Sequence, residues 1–207
     1  MMKKIATLLF IALSSILVGC SESDAPKQGE HYQTLPANLA TFRLPAVTEV
    51  FSLNCGHCRK MEDQLAKIEK LTGQDIGKVH VTFNESAQIA AMIYYAAEMQ
   101  FGKKPDHQMM TELFAATQLS DGSTSADKKA AIDLVFHSRN FVSPYDFDDT
   151  EQKRLFAAMQ IADDITTTGQ INSVPTFIVN GKYQVMTSGH RDVESIAETI
   201  NYLLQQP

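Results

Sequence analysis

Cys55 and Cys58 stand with two residues between them in Phe51-Ser-Leu-Asn-Cys55-Gly-His-Cys58. That spacing lets two thiols close a disulfide or share a metal ion. The residues before it, Ala46 to Phe51, are mostly β-branched or apolar, and Arg59 to Leu71 carries Met61, Leu65 and Ile68 at helical spacing. Cys55 is therefore expected to open a helix. Unpaired N–H groups and the helix dipole there favour an anion, which lowers the pKa of the first thiol and supplies a thiolate at neutral pH. His57 adds a positive partner. The same Cys-x-x-Cys is also half of a zinc site, but the sequence has no second pair to close one.

The third cysteine, Cys20, belongs to a different pattern. Lys3 and Lys4 are followed by an apolar run from Ile5 to Val18 and then Leu17-Val18-Gly19-Cys20, too short for a spanning helix and shaped like an export signal. Leu-Val-Gly-Cys resembles a bacterial lipobox, which implies that Cys20 becomes the lipidated first residue of the mature chain. The alternative is an ordinary signal cut farther along, for instance after Ser23-Asp24-Ala25, with Pro26 badly placed behind the cut. Either way the exported part keeps one cysteine pair in an oxidising compartment.

Without residues 1–19 the chain loses two lysines and no acids, so 16 basic against 24 acidic side chains leave a formal charge of −8 instead of −6. No stretch is basic enough to hold a phosphate backbone, which excludes nucleic acid as partner. About 175 residues follow the tether, enough for a core that needs no disulfide staple, so the single pair reads as functional.

Along the chain, the polar residues 21–30 form a flexible tether. Tyr32 to Phe42 suggests a short edge strand, Val47 to Leu53 a buried strand, Cys55 to Leu71 a helix closed by Gly73, and Val79 to Phe83 a second strand. From Glu85 to Thr168 the spacing predicts consecutive helices, with Ile89, Met92, Ile93 and Ala96 on one stripe and Met109, Leu113 and Phe114 on the next. Ala131, Leu134 and Val135 mark a third helix, and Leu155, Phe156, Met159, Ala162 and Ile165 a long fourth. Methionines at this spacing are core filling rather than a copper or peptide surface. Strand character returns in Val174 to Val179 and Lys182 to Val185, joined by the hairpin signal Asn180-Gly181. Asp192 can cap a final helix that buries Ile196, Ile200 and Leu203.

This order resembles the thioredoxin superfamily and, within it, the exported DsbA-like thiol oxidoreductases. Glu49-Val-Phe-Ser before Cys55-Gly-His-Cys58 looks like the family's active-site strand and turn. Val174-Pro175 looks like its cis-proline loop, and Asn180-Gly-Lys-Tyr-Gln184 like its hairpin. The resemblance implies an α/β thioredoxin-like fold in residues 31–84 and 169–207, with an all-helical insertion at 85–168, behind a signal peptide at 1–19 and a lipidated tether at 20–30. It also implies that Cys55 and Cys58 form a redox-active disulfide with no other cofactor and no metal. Val174, Pro175 and Gly56 would meet an extended substrate. Glu49 would be a buried acid beneath the disulfide, able to exchange a proton with Cys58, with Lys78 as its basic partner and Glu62 as a second acid on the helix. An ordinary surface ion pair is the alternative for Glu49. His80 also matches, though a lone histidine on a strand is more often structural.

Three departures matter. Gly56-His57 replaces the Pro-His typical of DsbA and matches protein disulfide isomerases, placing the expected potential at roughly −180 to −120 mV. Arg59 and Lys60 give a more basic rim. Thr187 stands where DsbA carries a proline beside the surface that meets its membrane oxidase, so docking to a DsbB-type partner is not implied. The expectation is a monomeric periplasmic dithiol oxidase of a Gram-negative bacterium, donating disulfides to unfolded exported proteins with free thiols and tied to a membrane by its lipid. Ser21 after Cys20 favours the outer membrane. A reductase or isomerase of the same fold is the first rival, and a non-catalytic lipoprotein binding copper or clients through Cys55, His57 and Cys58 the second.

Overall fold

The computed structural model describes residues 25–120 and 122–207. The expectations for the export signal, for Cys20 and for the first part of the tether lie outside the described residues.

In chain order the described elements are β1 (Tyr32–Thr34), β2 (Val47–Phe51), α1 (Gly56–Thr72), β3 (Ile76–His80), α2 (Glu85–Phe101), α3 (His107–Thr117), α4 (Ser125–His137), α5 (Asp149–Thr168), β4 (Thr176–Val179), β5 (Tyr183–Val185) and α6 (Val193–Leu204). The strands form one sheet in the order β1-β5-β4-β2-β3. β2 and β3 run parallel across the α1 connection, and the other neighbours are antiparallel. Helices α1 and α6 pack side by side on one layer, where Leu65, Ile68, Ile196, Ile200 and Leu203 meet Val47, Phe177 and Val179. Helices α2 to α5 lie between β3 and β4 in sequence. They share the larger core with Val50, Phe51, Leu53 and Ile178.

Start signals place these helices. The side chains of Asn84, Asp106, Thr124, Asp148 and Asp192 each accept a first-turn N–H, satisfying donors that no helical carbonyl reaches. The hairpin is as its dipeptide predicts: Asn180 and Gly181 have φ of 51° and 64°, the left-handed pair that a tight two-residue turn requires.

Several expectations need correction. The second strand runs Ile76–His80 rather than Val79–Phe83, because parallel pairing aligns Val47 with Ile76 and Phe51 with His80. Gly77 looks like a turn residue but lies in that strand, where Pro45 fills the space a Cβ would occupy. The first strand stops at Thr34, two residues before Pro36, and Ala40–Phe42 is a single 3-10 turn. β2 ends at Phe51, whose carbonyl takes the N–H of Val81. Three of the four helical stripes are shifted in part: Ile89, Leu134 and Phe156 are 50%, 71% and 59% exposed, while Ala90, Ile132 and Phe136 are buried. Ile93, Ala96 and Val135, and the α3 stripe of Met109, Leu113 and Phe114, are buried as expected. Alanines on α2 let it pack closely, so its buried face follows small residues that a search for large apolar ones passes over. Met109 and Met110 are fully buried filling.

Part of the expected tether is folded. Gly29 donates to the Tyr32 carbonyl at 2.7 Å and the Lys27 N–H to His31 Nδ1 at 2.9 Å, so a turn starts at Lys27. Glu30 then runs against Gly189, where an added Cβ would sit 2.0 Å from its carbonyl oxygen. Gly189→Ala should therefore destabilise the fold by about 1 to 3 kcal/mol, the usual cost of overpacking. Urea denaturation would check this through a lower midpoint at unchanged slope.

Candidate active site

β2 delivers the chain to Ser52-Leu53-Asn54, and three residues from elsewhere hold that loop. The Leu53 N–H donates to His80 Nε2 at 2.8 Å, and Gln118 Nε2 donates to the Leu53 carbonyl at 2.7 Å. Asn54 Nδ2 donates to the Ser86 carbonyl at 2.8 Å. His80 Nδ1 lies 2.7 Å from the Val81 carbonyl, so Nδ1 carries the proton and Nε2 accepts. Burial holds the His80 pKa down at about 3, against the Val81 carbonyl, so the ring stays neutral in this structural role. Gln118 and Ser86 have no sequence signal. They come from the helical insertion, and only the fold brings them to the loop.

With the loop fixed, Cys55 becomes the N-cap of α1. Its Sγ accepts the Cys58 N–H at 3.2 Å, the position where serine or aspartate usually places an oxygen. The Cys55 pKa is lowered to about 6. The Cys58 thiol hydrogen bond is the largest cause; burial opposes it, and the N–H groups of Cys58 and His57 and the His57 charge assist. Cys58 is fully buried, and burial first, then its bond to Cys55, pushes its thiol up. Both thiols are free, so the geometry is that of the reduced dithiol.

The Val174-Pro175 peptide is cis, and the Cys55 thiol reaches the Val174 carbonyl at 3.8 Å. Thr187 Oγ1 donates to the Pro175 carbonyl at 2.7 Å, tying the loop from the far side. Gly56 is exposed, and a Cβ there would meet nothing within 4 Å. His57 is exposed beside it, Lys60 lines a hollow with it, and Arg59 is exposed too. His57, Met61, Val174, Pro175, Thr187 and Ile196 line a hollow of about 450 Å³. A smaller one of about 270 Å³ on the other side of Val174 is lined by Cys55, Phe83 and Ala87.

Beneath the dithiol lie the charged residues. Glu49 on β2 and Lys78 on β3 are register partners, with Lys78 Nζ 2.6 Å from Glu49 Oε2 and 2.8 Å from Glu62 Oε2. All three side chains are 5% exposed or less, which rules out the surface-pair alternative. Burial would lower the Lys78 pKa, but the two carboxylates outweigh it and hold it up. Burial lifts the Glu49 pKa despite Lys78, and Glu49 Oε1 has no hydrogen-bond partner among the described residues. The Glu49 charge in turn helps raise Cys58. Sequence reasoning missed His107. This first residue of α3 places Nδ1 3.2 Å from Glu62 Oε1 with its side chain 62% exposed, so the network reaches solvent. Cys20 is the one expected site residue outside the described chain.

A family model described as thioredoxin matches residues 44–201. The chain belongs to the thioredoxin family. It is similar to the thiol:disulfide interchange protein DsbA of Salmonella typhimurium, 28% identical over 219 residues that cover 99% of this chain and 100% of the relative. The DsbA of Escherichia coli K12 is 27% identical over the same shares. Among solved structures, DsbA from Proteus mirabilis superposes with a TM-score of 0.65 at 21% identity, covering 87% of this chain and 98% of that one. DsbL from Salmonella enterica serovar Typhimurium does so with 0.65 at 18%, covering 89% and 100%. Dithiol, fold and relatives together make the chain a DsbA-like thiol:disulfide oxidoreductase.

This thioredoxin-family site predicts a reactivity split. Thiolate absorbance of the reduced protein should titrate with a midpoint near 6, inside the band of activated cysteines of about 3.5 to 7.5. At pH 6.5 iodoacetamide should label Cys55 quickly and leave Cys58 protected. A midpoint near 8.5, the value of an ordinary thiol, or label on Cys58 first, would reassign the nucleophile.

Proposed function

We propose that the chain donates its Cys55–Cys58 disulfide to exported proteins in the periplasm. The observation that carries this direction is Cys55 Sγ at the start of α1 with a pKa of about 6. A stabilised thiolate stabilises the reduced enzyme, and so makes the disulfide oxidising. A client thiolate attacks Cys55 Sγ of the oxidised protein; the Cys55–Cys58 bond breaks and Cys58 takes the electron pair. Glu49 protonates the departing Cys58 thiolate, consistent with a carboxyl whose pKa burial has raised. The client's second thiolate then attacks its own sulfur in the mixed disulfide, and Cys55 leaves as a thiolate. Two electrons have moved from client to enzyme. Of the client's two protons, one replaces that of Glu49 and one is released.

The client lies on the Val174-Pro175 edge, and a Proteus mirabilis DsbA structure with the non-covalently bound peptide PWATCDS supports a cysteine-containing chain as the client. Placement in the periplasm rests on the DsbA relatives, and the lipid anchor on Leu17-Val18-Gly19-Cys20. Ser21 after Cys20 favours the outer membrane. With the turn beginning at Lys27, only residues 21–26 are left to span the gap from the anchor, about 22 Å at full extension. That reach is too short to carry Cys55 to an inner-membrane oxidase. Reoxidation by a soluble or small-molecule disulfide follows, and Thr187 tied to Pro175 differs from the DsbB-docking loop. The protein acts as a monomer.

Three experiments test this reading. Reduced protein should outlast oxidised protein in denaturant at pH 7, the reverse of a structural disulfide. Because the folded Cys55 pKa is depressed, this advantage is complete above about pH 8.5, the unfolded thiol value, and disappears as pH falls through about 6. Equal stability at pH 7 would favour the reductase reading. Glu49→Gln should slow oxidation of a dithiol peptide roughly tenfold to a hundredfold, and membrane fractionation against Cys20→Ser locates the anchor.

A further inference from the structure

Three expected core residues of the insertion are exposed, and one of them, Ile89, borders the active site's own surface. Ile89, Met92 and Tyr145 wall a groove of about 590 Å³ whose floor is Ile93 and Ile132 between α2 and α4. Ile89 and Tyr145 are 50% and 38% exposed, the floor residues 1% and 2%. A concave apolar surface of this kind marks a binding site more often than it marks chance exposure.

The groove is continuous with the reacting sulfur. It shares Asn54 and Ser86 with the 270 Å³ hollow that contains Cys55, Val174 and Phe83. The Asn54 amide bonded to Ser86 Oγ at 2.9 Å forms the saddle between them. We infer that this groove receives a side chain of the client, an apolar or aromatic residue three to five positions from the cysteine bound to Cys55. The inference rests on the client reading above, and that reading fixes the occupant: the chain covalently held by Cys55 must leave across one side of Val174 or the other. On one flank it enters the Met61–Thr187 hollow; on the other it crosses Asn54 and Ser86. Ser86 to Ile93 is roughly 10 Å along α2, which an extended chain covers in about three residues. Lys128, exposed at the rim, suits an acidic client residue beside the apolar anchor.

The test uses the full-length protein carrying Cys58→Ala and single-cysteine peptides trapped as mixed disulfides. A benzoylphenylalanine is placed in turn at each position up to five residues on either side of the peptide cysteine. On one flank, probes three to five positions away should cross-link to α2 or α4 residues around Ile89 and Ile132. In kinetics with the unmodified active site, dithiol peptides with phenylalanine at that position should be oxidised about tenfold faster than those with serine, the order expected of an apolar subsite. Ile89→Asp should bring that ratio to about one, and Lys128→Glu should weaken a preference for a neighbouring aspartate. Circular dichroism confirms that the surface variants fold. Cross-links confined to Met61, Thr187 and Ile196 on both flanks, or a selectivity ratio that Ile89→Asp leaves unchanged, would overturn the groove alone. Absence of any mixed disulfide at Cys55 would overturn it together with the redox reading.

Discussion

A sulfur occupies the N-cap of α1, and the site is organised around that substitution. An N-cap oxygen serves only to satisfy a first-turn N–H. Cys55 Sγ does this as well, accepting from Cys58 at 3.2 Å, but it carries charge in one redox state and a covalent bond in the other. The stability of the helix start is thereby coupled to the redox state of the cap. The surrounding structure keeps the cap from moving: His80 and Gln118 grip the two sides of the Leu53 peptide. The neutral His80 tautomer leaves the thiolate as the local negative charge that the helix terminus stabilises.

The buried acids answer a different constraint. One ammonium faces two carboxylates in a nearly dry site, an arrangement that contributes little net stability, because removing charges from water costs about what pairing them returns. The group is one positive charge short, and burial raises the Glu49 pKa despite Lys78. In the proposed cycle a proton from Glu49 is what Cys58 receives when its bond to Cys55 breaks. The electrostatic deficit and the chemistry of the buried thiol therefore have the same remedy. Lys78, Glu62 and His107 extend the network from Glu49 to solvent.

Elements with local signals were legible in the sequence. The redox helix, the hairpin at Asn180-Gly181 and the final helix each begin at a residue whose type dictates local conformation. Cys55, Cys58 and the Glu49–Lys78 pair were visible as motif and resemblance. What the sequence hid was set by long-range partners. β3 starts at Ile76 because β2 lies beside it, and Gly77 is tolerated there because Pro45 fills its empty side. Val174-Pro175 reads locally as an ordinary trans dipeptide, and only the family resemblance pointed to cis. Gln118, Ser86 and His107 are polar residues on helix ends, indistinguishable from solvated ones until the insertion folds against β2 and α1.

That last group defines what the insertion does. The four helices inserted between β3 and β4 are no mere appendage to a redox sheet: Gln118 and Ser86 hold the loop that presents Cys55, and His107 ends the acid network. The apolar side chains that α2 turns outward lie along the same path, beyond the Asn54–Ser86 contact. A helical block that both fixes the nucleophile and extends its surface can match geometry at the sulfur to the chain bound there. Under the proposed function, an oxidant of exported chains needs weak apolar contacts distributed around its thiol rather than one deep pocket. The two hollows flanking Val174 and the groove beyond Ser86 supply that distribution.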